Sequence, residues 1–122
     1  MMEKTLKAIR GAVCSANDKE SITQRTTELY DKLLAANEIT EGDILSLFFS
    51  VTPDINALNP ASALRQSGRA GELAMMVSQE AAVQDSLPGT IRVLAHANMA
   101  AEKPVRHVYI RGAESLRPDR SS

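Results

Sequence analysis

The sequence predicts an α/β fold, a single domain of about five strands and two principal helices, and three features carry that prediction. Apolar residues alternate with polar ones at a spacing of two over residues 6–13, 72–78, 90–98 and 105–110. A longer apolar run, ILSLFFSV at residues 44–51, has strand length and is closed by a proline turn. Two other stretches, residues 18–37 and 59–67, open on capping residues and continue with helical character.

In chain order, residues 6–13 form a strand that sets Arg10 among small and apolar neighbours. Asn17 or Asp18 then caps a helix, and Glu20 brings negative charge to its first turn. Ile22, Thr26, Leu29 and Leu33 make one apolar stripe that ends near Asn37. Such a stripe covers a sheet and does no chemistry. Residues 40–43 form a turn or helical start. Taken as continuously apolar, the run at 44–51 predicts a buried central strand. Thr52-Pro53-Asp54 stops it, because proline lacks an N–H and restrains the residue before it.

Asn59 caps a second helix with Pro60 at its first position; the helix carries Arg65 and ends at Ser67-Gly68. The 72–78 strand puts Leu73, Met75 and Val77 on one face, the methionines acting as core filler, and Gln79 and Glu80 follow at its end. Leu87-Pro88-Gly89 turns the chain into residues 90–98, where Ile91, Val93 and Ala95 point one way and Arg92, Leu94 and His96 the other. After Lys103-Pro104 comes the 105–110 strand with His107 and Tyr109. A tail at 113–122 contains Leu116, Arg117 and Pro118, and its last residues are expected to be mobile.

The 122 residues suffice for one domain and not two. Hydrophobic residues make up 43% but aromatics only 3%, so the core must rest on Leu, Ile, Val, Ala and five Met, a kind of core that gains from oligomerisation. Fourteen basic residues against fifteen acidic ones provide no basic field for nucleic acid. One cysteine, Cys14, excludes an internal disulfide and fits a reducing compartment. Without a signal-like or membrane-spanning apolar run, the expectation is a soluble cytoplasmic protein.

Polar groups planted in apolar strands, with Arg92 foremost, suggest an anion pocket, because an arginine among apolar residues is costly unless something negative faces it. The alternative is an edge strand with its polar face in water. His96 and His107 have no metal-ligand spacing with any Cys or acid. No Ser or Cys has a recognisable base and orienter. Gly68-Arg69-Ala70-Gly71 matches a nucleic-acid G-x-x-G loop but lacks a basic face around it, and no nucleotide fingerprint is present. The remaining groups bind; they do not shuttle protons.

IRGA at 9–12, TPD at 52–54, Pro60-Ala61 with Arg65, Gln79-Glu80, IRV at 91–93, RHVY at 106–109 and LRPD at 116–119 together closely resemble the monofunctional trimeric α/β class of chorismate mutases. Seven motifs stand in family order and at nearly family spacing across almost the whole chain. The resemblance implies a homotrimer of mixed sheets packed in a barrel-like assembly, with helices outside and active sites between subunits. It implies the Claisen rearrangement of chorismate to prephenate in aromatic amino-acid biosynthesis, with no cofactor and no metal.

By the same resemblance, Arg92 reaches the ether oxygen and a carboxylate, Arg10 and Tyr109 grip carboxylate oxygens, and Glu80 accepts from the ring hydroxyl. Met76, Val77, Ser78 and Gln79 line the same wall, and Asn59, Ala61, Leu116, Arg117 and Arg65, the last from a neighbouring subunit, complete substrate binding. Asn59 stands where the family usually has an aromatic, Val77 where a cysteine is common, and one residue is missing near 99–103. Two rival readings are an enamine/imine deaminase-like trimer, whose C-terminal pattern LRPD does not fit, and a non-catalytic module for a small carboxylate.

Overall fold

The computed structural model describes residues 3–116. Strands β1 (Lys4–Cys14), β2 (Ile44–Val51), β3 (Ala74–Gln79), β4 (Thr90–Ala100) and β5 (Val108–Ile110) form one mixed sheet in the order β3-β2-β4-β1-β5. The central strand β4 runs antiparallel to β1 and β2, while the outer pairs β2–β3 and β1–β5 are parallel. The Arg92 strand is therefore the middle of the sheet, and the edge-strand alternative fails. Helices α1 (Lys19–Ala36) and α2 (Pro60–Gln66) follow β1 and β2, and single 3-10 turns occupy Glu41–Asp43 and Glu114–Leu116.

Capping sets the helix starts. The Asp18 carboxylate accepts from Ser21 N at 2.7 Å, and that backbone donor lowers its pKa. Asn59 Oδ1 accepts from Ala61 N at 2.8 Å and Ser62 N at 3.3 Å, ahead of Pro60 at the first helical position. Ile22, Thr26, Leu29, Tyr30 and Leu33 of α1 and Leu64 of α2 are buried against Ile9, Val13, Leu47, Phe49, Ile91 and Val93 of the sheet. Both helices thus cover one face.

The other face is open, and this corrects the expectation for β2. It is an internal strand beside the centre, but its burial alternates: Leu47 and Phe49 are closed, whereas Phe48 between them is 42% exposed, and Leu45, 62% exposed, falls at an irregularity of the β2–β4 register. A single chain covers only the side that carries helices. Two strand starts also differ. The fifth strand begins at Val108, not residue 105, because the Arg106 backbone is satisfied by the Asn37 amide, with Arg106 N donating to Oδ1 at 2.8 Å and Nδ2 donating to Arg106 O at 3.0 Å. The third begins at Ala74, since Leu73 N is engaged in a turn with Ala70 O. The tail expected from residue 113 starts as structure: Ala113 is fully buried. Its remainder beyond Leu116 lies outside the described residues.

Gly11 explains how β5 comes to lie beside Arg10. A Cβ at Gly11 would sit 2.9 Å from Val108 O and 3.1 Å from Leu29 Cδ1, so only glycine lets α1 and β5 approach together. His107 Nδ1 accepts from Arg10 N at 2.9 Å and continues the β1–β5 pairing one residue beyond the strand.

Candidate active site

Register brings the site together in two rows across the open face. One row runs Ser78, Ser50, Arg92, Ala12, Tyr109 through β3, β2, β4, β1 and β5. The next runs Met76, Phe48, Leu94, Arg10. Small residues flank Arg92 on both sides, which leaves its long side chain room to lie along the sheet. Arg10, Phe48, Ser50, Arg92, Tyr109 and Leu116 line a cavity of about 310 Å³ above these rows.

The central polar contact is an ion pair. Arg92 Nε donates to Glu80 Oε2 at 2.8 Å, and Ser50 Oγ donates to the same oxygen at 2.9 Å. The side chains are 37% and 20% exposed for Arg92 and Glu80. Glu80 reaches the site because its backbone N–H extends the sheet, donating to Val51 O at 2.8 Å just past β3. Neither Glu80 Oε1 nor the terminal nitrogens of Arg92 hydrogen-bond to any described residue, so one carboxylate oxygen and a guanidinium fork remain for a ligand. Arg10 adds a second cation at the exposed end of its row.

Pairing of donors and acceptors distinguishes this cavity from a larger, more open one of about 600 Å³ at Cys14, Arg25, Asp54 and Arg111. There, Arg111 is bound in a fork to Glu28 at 3.0 and 3.1 Å, and Arg25 lies 3.7 Å from the same carboxylate. Hydrogen bonding from Arg111 holds the Glu28 carboxyl below its usual range. The Arg111 fork is thus already taken by a carboxylate of the same chain, which Arg25 and Lys32 at 3.8 Å share. Among the described residues no three His, Cys, Asp or Glu side chains cluster as a metal site, and no helix is long and apolar enough to cross a membrane.

A chorismate mutase type I family model matches residues 6–120. The chain belongs to the type I chorismate mutases. It is 41% identical over 120 residues to the chorismate mutase AroH of Thermus thermophilus, covering 96% of this chain and 98% of that one. It is 32% identical over 118 residues to the chorismate mutase AroH of Bacillus subtilis, covering 95% and 93%. Among solved structures, a chorismate mutase from Clostridium thermocellum superposes with a TM-score of 0.82 at 36% identity, over 90% of this chain and 99% of that one.

Within this type I fold, the sequence-predicted site divides. Arg10, Arg92, Tyr109 and Leu116 meet in the cavity, with Glu80 joined to them by its ion pair. Met76 and Ser78 lie in the two rows, Val77 is half-buried toward the opposite side, and Gln79 ends β3. Asn59, Ala61 and Arg65 are elsewhere: they belong to α2 on the covered face, where Asn59 caps the helix and Ala61 is packed at 6% exposure. Arg117 lies outside the described residues. Ser50 and Phe48 were missed. Their signal was present in ILSLFFSV, whose serines at 46 and 50 fall on the same side as Phe48 once the strand is counted by twos.

Proposed function

We propose that this cavity, completed by a neighbouring copy of the chain, converts chorismate to prephenate by stabilising the breaking ether bond with Arg92. The carrying observation is the Arg92–Glu80 pair: Glu80 fixes the guanidinium through Nε and leaves its terminal nitrogens directed at a ligand. Negative charge grows on the ether oxygen as its C–O bond lengthens, so a preoriented cation gains more in the transition state than in the ground state. Arg10 and Tyr109 hold carboxylate oxygens and favour the folded, chair-like conformer. Oε1 of Glu80 accepts from the ring hydroxyl. No proton moves, and no cofactor is required.

A homotrimer is supported by the open face of the sheet, where Leu6, Phe48 and Met76 are 53%, 42% and 63% exposed; apolar side chains of that size gain from burial against a partner. It would also bring Arg65 and Asn59 of one copy toward the cavity of the next, since they are distant from the cavity of their own chain. The single half-buried thiol at Cys14 supports a cytoplasmic location.

The test is incubation with chorismate, followed by loss of its ultraviolet absorbance and appearance of prephenate. Turnover with little solvent isotope effect is expected. A large isotope effect would replace the electrostatic mechanism with acid–base catalysis, and tight binding of a bicyclic transition-state mimic without turnover would leave a carboxylate-binding module. Light scattering should return three times the 13.2 kDa chain mass.

A further inference from the structure

We propose that Ser50 is a positioning residue of the site, setting the orientation of Glu80 and, through it, of Arg92. This rests on the roles given above to Arg92 and Glu80. Ser50 is the cross-strand partner of Arg92 on one side and of Ser78 on the other, so its side chain stands between the strand that carries the arginine and the strand that delivers the glutamate. Its single hydroxyl proton is directed to Glu80 Oε2 at 2.9 Å, the oxygen that also receives Arg92 Nε at 2.8 Å.

Two donors on one oxygen fix the rotation of the carboxylate about its terminal bond. Oε2 is thereby committed to the protein, and Oε1 is turned to the ligand. A carboxylate held by Arg92 alone could pivot or present either oxygen, and the guanidinium would pivot with it. Size matters as well as polarity. At the centre of a row whose neighbours lie about 5 Å apart, a side chain much larger than serine would occupy the space through which Arg92 reaches Glu80.

The experiment compares Ser50→Ala, Ser50→Thr, Glu80→Ala and the Ser50→Ala/Glu80→Ala double variant, with Arg92→Ala as reference. Ser50→Ala should lower kcat about tenfold, as expected for losing a hydrogen bond to a charged group, with KM changed less than about threefold. Ser50→Thr, which keeps the hydroxyl, should recover most of that loss. In the Glu80→Ala background the same Ser50→Ala change should cost less than about twofold, because the group it orients is gone. A merely structural serine would lose the same factor in both backgrounds, and that result, or wild-type kcat in Ser50→Ala, overturns the proposal. If Arg92→Ala itself kept wild-type turnover, the reading of the site would fail and this proposal with it. A collapse of Arg92→Ala beside additive Ser50 and Glu80 effects would remove only the role of Ser50.

Discussion

Val93 and Arg92 are neighbours on β4, yet they belong to different parts of the protein. Val93 is 5% exposed and closed over by helix, in a layer with Ile9, Val13, Phe49, Leu29 and Leu33. Arg92 faces the open side, 37% exposed, with Ser50, Glu80 and Tyr109. The covered face is apolar but for isolated groups such as the buried Thr26 hydroxyl, and two helices fill it. The other keeps the Arg92–Glu80 pair and Arg10 facing an open cavity. The twofold alternation of a strand places the two a residue apart, so stability and chemistry share a backbone while depending on different side chains.

That separation can be broken by substitutions that cross it. The largest effect is expected on the covered face. Phe49 is 1% exposed, and Phe49→Ala should cost about 3–5 kcal/mol of unfolding free energy by chemical denaturation. The fraction that remains folded at low temperature should turn over chorismate at near the normal rate. On the open face the pattern reverses. Arg92→Lys should slow turnover hundreds-fold, or about 3–4 kcal/mol in the barrier, nearly as much as Arg92→Ala, because an ammonium lacks the planar fork that serves Glu80 and ligand together. Its unfolding free energy should stay within about 0.5 kcal/mol of the parent. An Arg92→Lys protein that is active, or one that is inactive because it unfolds, would erase the distinction between the faces.

Most of the fold was legible because local chemistry and tertiary structure agree in it. Asp18, Asn59 and Pro60 mark helix starts by capping, and alternation places Arg92 opposite Val93 before any contact is known. Legibility failed where a long-range partner decided. Nothing in residues 105–107 discloses that the Asn37 amide takes the backbone bonds a strand would have used. Nor does ILSLFFSV disclose that helices cover only one of its sides. In the candidate site the motifs single out Arg10, Glu80 and Arg92, whereas Ser50 is a common residue whose contact appears only when register sets it between Arg92 and Glu80. Asn59 and Arg65 do not line the cavity of their own chain, and the homotrimer proposed above is what would bring them to one.

The smallest expected effect lies at the seam between the ends of two neighbouring strands. Thr52 and Thr90 tie the end of β2 to the start of β4, with Thr52 N donating to Thr90 O at 3.1 Å and Thr90 N to Thr52 Oγ1 at 2.9 Å. Asp54 secures both sides: its carboxylate accepts from the Thr52 hydroxyl at 2.5 Å and from Gly89 N at 2.9 Å. These bonds, the Thr52 hydroxyl first, hold the Asp54 carboxyl below its ordinary value. A depressed carboxyl stabilises the fold above its unfolded pKa and loses that contribution as pH falls through the lower folded value. Urea midpoints should therefore decline below about pH 4, the ordinary aspartate range, and Asp54→Asn should make that decline shallower. Asp54 is largely in solvent and so contributes under about 1 kcal/mol, and Asp18, Glu28 and Asp43, also depressed, carry the rest of the acid slope. The asparagine keeps an oxygen for Thr52 and Gly89, so the register of Ser50 with Arg92 is preserved and turnover at neutral pH should not change. An Asp54→Asn protein with an unaltered acid slope would show that the Asp54 carboxylate contributes nothing to it and that the bonds between the two threonines hold the seam.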